Sequence, residues 1–232
     1  MPEPPLRVDF EKIYKIDEVG NVEVERSWTL LNRATTDIDI SDLRFYVNEV
    51  VGVVTNVKAE DSSGTMSSFE VSKIGSKTKI SLDPRPTTLS PQQSYKMTLL
   101  YQLQSLVHKL GDAWLFTDLI EGMNTSQFSS LISNRTDVTL QVVLPRFKKR
   151  FWQTIFHESE PHGLELLANK KTRNIERHTV LQWRTSLLSD SNYTLELIYG
   201  IKTNTRLVQF LTAVGTAVII GIVNLVFKLI SG

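Results

Sequence analysis

An uncharged segment near the C-terminus is the feature that most constrains this chain. Residues 207–227 form 21 consecutive positions without a charged side chain, between Arg206 and Lys228. At about 1.5 Å per helical residue, such a helix would reach roughly 30 Å, the thickness of a bilayer's hydrocarbon core. A core helix of this length in a soluble domain would normally carry charge on its solvent-facing side. The segment therefore predicts a single transmembrane helix.

Composition limits the classes of partner and chemistry that the rest of the chain can use. The 26 Lys and Arg residues balance 25 Asp and Glu residues, so no global field favours nucleic acid, and we expect no nucleic-acid partner. The chain has no Cys, which excludes disulfides, thiolate metal sites and Cys nucleophiles. The 232 residues, less the helix, leave room for one large domain or for two of about a hundred residues each.

The termini and flanking charges predict how the chain lies in a membrane. Residues 1–6 have neither a basic region nor an apolar region of the kind found in secretory signals. If Met1 is the true start, we expect a tail-anchored protein whose body is cytoplasmic; otherwise the body is extracytoplasmic. Lys202 and Arg206 precede the helix and Lys228 follows it, which favours the cytoplasmic side for the body.

Short alternating or β-branched runs, separated by turn-forming residues, predict an all-β body. The predicted strands include residues 22–30, 50–57, 69–74, 77–82, 94–101, 137–144, 179–184 and 192–199. This density of short strands is typical of sandwiches. We predict two tandem immunoglobulin-like sandwiches, residues 1–104 and 105–202, followed by the helix and a short tail at 203–232. One larger β-fold is the alternative.

The two closing strands share a pattern that indicates tyrosine corners. Residues 94–101 and 192–199 both follow the pattern polar-Tyr-x-Met/Leu-x-Leu-aliphatic-Tyr, in which the first tyrosine is Tyr95 or Tyr193. In such a corner the hydroxyl bonds back to the preceding loop. The stretch from Leu89 through Pro91 to Tyr95 resembles the corner of fibronectin type III and related immunoglobulin-like domains.

At a coarser level the chain resembles prokaryotic membrane-anchored proteins that are built from tandem β-sandwiches. The resemblance rests on a strand that ends in Leu-Pro at 138–145, a Trp strand at 180–183 and a Tyr strand at 193–199. It implies an adhesive, scaffolding or assembly role rather than a particular reaction.

A histidine–acid segment is the main candidate for metal chemistry. His157 and His162 flank Glu158 and Glu160, but a zinc-protease helix needs its two histidines four residues apart, and Pro161 would interrupt a helix. A loose metal site is one interpretation, and a polar loop is the other. We expect no resident cofactor and no catalytic residue that the sequence can identify. An enzyme or enzyme accessory domain using residues 157–162 remains the alternative function.

A basic, aromatic stretch at 146–156 has two interpretations. Its apolar residues follow helical spacing, which is typical of an amphipathic helix lying in a membrane interface. Alternatively, residues 151–156 form a buried strand behind a basic turn. The membrane-surface patch predicted by the first interpretation consists of Phe147, Lys148, Lys149, Arg150, Phe151 and Trp152.

One flank of the C-terminal helix collects small and polar residues. At about 100° per residue these positions share a flank, and small residues allow two helices to approach closely. A second copy or another membrane protein is the expected partner of this face. The residues are Gln209, Ala213, Ala217, Gly221 and Asn224.

Together these features predict a single-pass membrane protein. Its β body is expected to bind or scaffold another protein at the membrane surface, and its partners are expected to be membrane lipid and that protein. The sequence identifies no small-molecule substrate.

Overall fold

A computed structural model shows a predominantly β protein with one C-terminal helix. The structure describes residues 4–49, 52–62, 68–75, 77–121, 131–132, 135–147, 153–162, 171–175, 178–188 and 192–231. The elements in chain order are β1 (Leu6–Ile16), β2 (Val22–Asn32), β3 (Ile38–Asp39), β4 (Phe45–Glu49), β5 (Val53–Asp61), β6 (Ser68–Ile74), β7 (Lys77–Asp83), β8 (Thr88–Leu89), β9 (Ser94–Gln104), β10 (Val107–Leu110), β11 (Ala113–Glu121), β12 (Arg135–Val143), β13 (Gln153–His162), β14 (Lys171–Ile175), β15 (His178–Leu188), β16 (Asn192–Thr203) and α1 (Thr205–Ser231).

A seven-stranded sheet joins the two halves of the chain. Its order is β14-β15-β12-β1-β2-β9-β5, and β1 pairs in parallel with β12, with Phe10 opposite Val138. Residue 104, the predicted domain boundary, ends β9 of this sheet, and β12, β14 and β15 from the second half also belong to it; the division into two domains stays a prediction. All-β architecture is confirmed, whereas the tandem immunoglobulin-like arrangement is not confirmed.

Two smaller sheets contribute side chains to the core beside this large sheet. The four-stranded sheet has the order β10-β11-β16-β13, and the three-stranded sheet has the order β4-β7-β6. The ring of Tyr14 on β1 meets Phe116 on β11, with 4.9 Å between ring centroids. Trp28 on β2 meets Phe45 on β4 at 5.8 Å. Buried residues of these three sheets, and of the two-stranded sheet β3-β8, form one hydrophobic cluster, as a layered β-sandwich requires.

Local patterns predicted many of these strands correctly. The hairpin predicted around Gly75 is formed by β6 and β7, with Ile74 opposite Lys77. Gly75 has φ of 64°, a backbone conformation that glycine adopts without a steric penalty. The predicted corner at Tyr95 is present in part: the hydroxyl accepts a bond from the Arg85 amide and donates one to Asp61, both at 3.3 Å. The Tyr193 side chain lies outside the described residues.

The sequence pattern assigns no strands to residues 105–133, and it predicts that a Ser/Thr/Asn-rich tract around 124–136 is a long loop. Residues 107–121 form the β10–β11 hairpin, and β11 pairs with β16 as far as Gly200. Of the predicted loop, residues 124–130 and 133–134 lie outside the described residues, Ile132 forms a parallel bridge with Leu6, and residues 135–136 belong to β12, so the loop prediction is wrong for these last two.

Candidate functional site

Helix α1 exposes apolar side chains along its described length. Phe210 is 64% exposed and Val218 is 54% exposed, and Val214, Ile219, Ile220 and Ile222 are exposed as well. A helix that belongs to a soluble core buries such a stripe against a neighbouring element. The described residues of α1 therefore do not pack in the core of the β body.

Hydrogen bonds within α1 satisfy its internal hydroxyl groups. Thr212 donates to the Val208 carbonyl and Thr216 donates to the Thr212 carbonyl, each at 2.9 Å. Because each of these two hydroxyl groups bonds to a carbonyl of its own helix, neither needs a water molecule as its hydrogen-bond acceptor. In the part of the chain that the structure describes, no helix combines the length and the apolar character needed to cross a membrane.

The predicted partner-facing flank of α1 is described in part. Gln209, Ala213 and Ala217 are exposed. Gly221 and Asn224 lie outside the residues whose exposure the structure describes. Contact between this flank and a second helix stays a prediction.

A single residue connects the β body to α1. Strand β16 ends at Thr203 and the helix begins at Thr205. Asn204 between them is the N-cap: its side-chain oxygen accepts the Leu207 amide at 3.1 Å, and its carbonyl accepts the Val208 amide at 3.0 Å. This cap fixes the chain direction at the helix start, so the end of β16 and the first helical turn are adjacent.

The basic, aromatic stretch divides into three parts. Phe147 is half-buried, and its ring lies 6.1 Å from that of Tyr199. Residues 153–156 belong to strand β13, so the interfacial-helix interpretation is wrong for them; the strand of the alternative is present, but its residues are half-buried or exposed rather than buried. The rest of the predicted patch lies outside the described residues, namely Lys148, Lys149, Arg150, Phe151 and Trp152.

The histidine–acid segment is a strand and not the polar loop that was expected. Residues 157–162 pair with β16, with His157 opposite Tyr199 and His162 opposite Thr194. Successive side chains of a strand point to opposite faces, so two residues five positions apart lie on different faces. Among the residues with described side chains, no group of His, Cys, Asp or Glu is placed to hold a metal ion. The His162 side chain is outside that set.

A buried charge network is the densest polar feature of the body. Lys12 on β1 donates to Asp118 on β11 at 2.5 Å and lies 3.9 Å from Glu49 on β4. Arg26 on β2 forms an ion pair with Glu49 and donates to the Tyr101 hydroxyl on β9 at 2.7 Å. Tyr101 in turn donates to Glu49, and Tyr14 donates to Asp118. All six side chains are buried, and the two cations and two carboxylates cancel in charge.

Burial controls the ionisation of this network. It lowers the pKa of Lys12, an effect that Arg26 adds to and that Asp118 and Glu49 oppose. It also raises the pKa of Tyr14 and of Tyr101 well above the usual value. Because these groups have no access to solvent, the network acts as a polar bridge among the three sheets.

A shallow surface cavity of about 590 Å³ lies at the opposite end of β2 from its turn with β1. It is bordered by acidic and hydroxyl side chains, including Asp37, Asp39 and Ser41, over an apolar floor that includes Leu43. The Asp39 carboxylate accepts the Ser41 amide at 2.9 Å, which is an ordinary turn contact. The described side chains that line this cavity therefore do not form a recognisable catalytic or metal-binding group.

Comparison with known proteins gives no family for this chain. No family model matches it, and no curated protein matches it. Among solved structures, a protein described as nutrient-binding from Legionella pneumophila has 8% identity and a TM-score of 0.46, over 84% of this chain and 67% of that one. An M1 zinc metallopeptidase from Deinococcus radiodurans has 15% identity and a TM-score of 0.40, over 84% and 42%. A CBM3a-L domain of a Clostridium thermocellum scaffoldin has 15% identity and a TM-score of 0.29, over 44% and 69%.

These likenesses are too distant to support any inference about what this chain does. The chain spans less than half the length of the peptidase that it matches. The functional interpretation therefore depends on the residues and geometry described above.

Sequence reasoning missed the buried network, although one signal was present. Lys12 continues the inward-facing row of Val8, Phe10 and Tyr14 on β1, and its register partner Arg26 interrupts an apolar row on β2. Cations opposite each other at apolar positions of neighbouring strands indicate buried partners.

Proposed function

We propose that this chain is a single-pass membrane protein whose β body binds another protein at the membrane surface. The exposed apolar side chains of α1 carry the proposal. About six uncharged helical turns would be costly in water, whereas a bilayer accommodates them. The run of 21 uncharged residues at 207–227 supports the same assignment, because it matches the hydrocarbon thickness.

The polar groups of the helix are compatible with a hydrocarbon environment. Thr212 and Thr216 are bonded to helix carbonyls. Gln209 and Asn224 lie near the two ends of the uncharged run, where polar groups cost least. Lys202 and Arg206 on the body side favour a cytoplasmic body.

We assign partner binding to the three-stranded sheet. Its edge strand β6 exposes Val71 and Ile74, and β6 pairs only with β7 among the described strands. The free edge of a strand can accept an extended segment of another protein, and exposed apolar side chains add affinity. An exposed β-strand edge of this kind supports a binding or scaffolding role.

Carbonate extraction of membranes from cells that express the full chain tests the anchor. The wild-type chain should stay in the membrane pellet, and Val214→Lys with Val218→Lys should release it, because both positions are exposed on the helix. Val71→Lys with Ile74→Lys is the matched control, since it adds the same charge to exposed positions of the body. Release of the wild-type chain would contradict the anchor.

The control variant also tests the binding surface. A partner that co-purifies with the wild-type chain should be lost from the Val71→Lys, Ile74→Lys protein while that protein remains in the membrane. Retention of the partner would show that β6 is not the docking edge.

A further inference from the structure

The register of the β6–β7 hairpin determines which backbone groups of β6 face away from β7. Ile74 and Lys77 close the hairpin across a two-residue turn, so they form a hydrogen-bonded pair, and such pairs recur at every second position of an antiparallel ladder. The even-numbered residues of β6 therefore direct their amides and carbonyls towards β7. Those of Phe69, Val71 and Lys73 point to the opposite side, where no other described strand pairs with β6.

Side-chain exposure rises across the inward face of the three-stranded sheet towards β6. Val47 on β4 and Ile80 on β7 are fully buried, whereas Val71, the next residue of the same row, is 43% exposed. Phe69 in the neighbouring row is half-buried. A strand added to β6 would cover both side chains, and it would gain most from apolar side chains opposite them.

The two charged residues of β6 lie on opposite faces of the sheet. Lys73 shares the inward face with Val71, and Glu70 lies on the outer face, because successive side chains of a strand alternate. Both charged side chains are exposed, and the residues opposite them on β7 are the uncharged Thr78 and Ser81. Opposite charges directly across a strand pair are favourable, so an added strand would gain from an acid opposite Lys73 and a cation opposite Glu70.

The other described edge strands carry features that discourage pairing. Strand β5 shifts register between Thr55 and Lys58, so a bulge interrupts it. Strand β13 contains Pro161, which has no amide hydrogen. Strand β14 carries exposed Lys171 and Arg173, β10 has four residues, and β3 and β8 have two each. The register of β4 turns only two of its five residues away from β7. Strand β6 therefore offers the most complete edge among the described strands.

We propose that β6 binds an extended segment with the pattern apolar–acid–any–apolar–cation–apolar, running antiparallel to β6. That direction continues the pairing of the three-stranded sheet and is the more stable one per residue, and three hydrogen-bonded pairs would supply about six hydrogen bonds. This inference rests on the docking at β6 proposed above, and it specifies the chemistry of the partner. The six residues of the segment lie, in order, opposite Ile74, Lys73, Ser72, Val71, Glu70 and Phe69.

A synthetic peptide titrated into the full chain in detergent micelles tests the pattern. The probe is fluorescein-labelled Val-Glu-Thr-Val-Lys-Val between Gly-Ser flanks, and fluorescence anisotropy measures its binding. The reversed sequence, Val-Lys-Val-Thr-Glu-Val, is the control of equal composition, and it should bind at least several-fold more weakly. Equal or tighter binding of the reversed peptide would overturn the proposed pattern and direction.

Single N-methyl groups on the probe test strand pairing itself. The valine opposite Val71 donates its amide to β6 in the proposed register, so N-methylation of this valine should weaken binding by at least about tenfold. The amide of the lysine opposite Glu70 points away from β6, so N-methylation of this lysine should have little effect. Equal effects at the two positions would contradict the addition of a strand.

Charge exchange tests the two charged contacts. Glu70→Lys with Lys73→Glu should weaken binding of the probe about tenfold. The exchanged peptide Val-Lys-Thr-Val-Glu-Val should bind this variant as tightly as the probe binds the wild-type chain. Lys58→Glu with Glu60→Lys is the matched control on β5, where both positions are exposed, and it should leave binding unchanged. Weakened binding of the probe without recovery by the exchanged peptide would refute the assigned contacts.

The peptide results are separable from the test of the docking edge. If Val71→Lys with Ile74→Lys loses the co-purifying partner but the probe does not bind the wild-type chain, the pattern is wrong and the docking edge stands. Retention of the partner by that variant would refute the docking edge itself, and with it this inference.

Discussion

Removing one charge from the buried network should cost far more than removing two opposite charges. Asp118→Asn keeps the shape and one acceptor oxygen but leaves the network with a net charge of +1, because Lys12 then has Glu49 as its remaining acid at 3.9 Å. Breaking a buried ion pair by removing one partner costs about 3–5 kcal/mol. Lys12→Met alone should cost a similar amount, because it leaves Asp118 buried without its cation.

The double variant Lys12→Met, Asp118→Asn should recover much of this loss. It restores a neutral interior, and the amide oxygen introduced at position 118 can still accept a bond from the Tyr14 hydroxyl. A neutral replacement of a buried pair often leaves stability unchanged or higher, so the sum of the single losses should exceed the double loss by at least about 2 kcal/mol. Lys15–Glu23 is the matched surface pair, at 2.9 Å with both side chains about half exposed. Glu23→Gln should cost about 0.2–1 kcal/mol.

Urea unfolding of the full chain in detergent, followed by the fluorescence of the buried Trp28 and Trp183, measures these free energies. Single-variant losses below about 1 kcal/mol, or a double loss equal to their sum, would refute the conclusion that charge balance stabilises the network.

Two further predictions concern backbone strain and alkaline pH. Gly52→Ala should destabilise the protein more than Gly75→Ala, because a side-chain carbon at Gly52 would lie 2.5 Å from the Gln104 carbonyl oxygen, whereas Gly75 has open space. Both glycines have positive φ, so Gly75→Ala alone should cost about 1–2 kcal/mol. Equal losses of the two variants in urea unfolding would contradict this prediction. Stability should fall as pH rises above about 10.5, because Tyr14 and Tyr101, whose pKa values burial raises, stay protonated in the folded chain and ionise on unfolding. The lowered pKa of Lys12 makes stability rise with pH, but only up to the ordinary lysine pKa of 10.5. Above that pH each of the two tyrosines should lower the free energy of unfolding by about 1.4 kcal/mol per pH unit. A free energy of unfolding that stays constant above about pH 10.5, measured with urea, would contradict the buried, protonated state of the two tyrosines.

Local patterns predicted the strands better than their partners. The Gly75 hairpin and the closing strands β9 and β16 were predictable because alternation and turn residues lie within a short window. The parallel pairing of β1 with β12, with Phe10 opposite Val138, joins segments far apart in the chain, and no local period records such a pair. A division at residue 104 followed from the two similar closing strands, which lie in different sheets.

The helix was predictable because its signal is compositional. Its 21 consecutive uncharged residues lie within one stretch of the chain, so a single window records them.

Polar residues at inward-facing positions explain why β11 and the charge network were missed together. On β11 the inward row is Trp114, Phe116, Asp118 and Ile120, and the carboxylate interrupts an otherwise apolar period. Its counterpart on β1 is Lys12, which interrupts a row from Leu6 to Ile16. Each interruption weakens the strand signal of its own segment, yet together they form one neutral pair at 2.5 Å. Because burying either charge alone would be prohibitive, this pairing selects the packing of β11 over β1 against alternatives shifted by one residue.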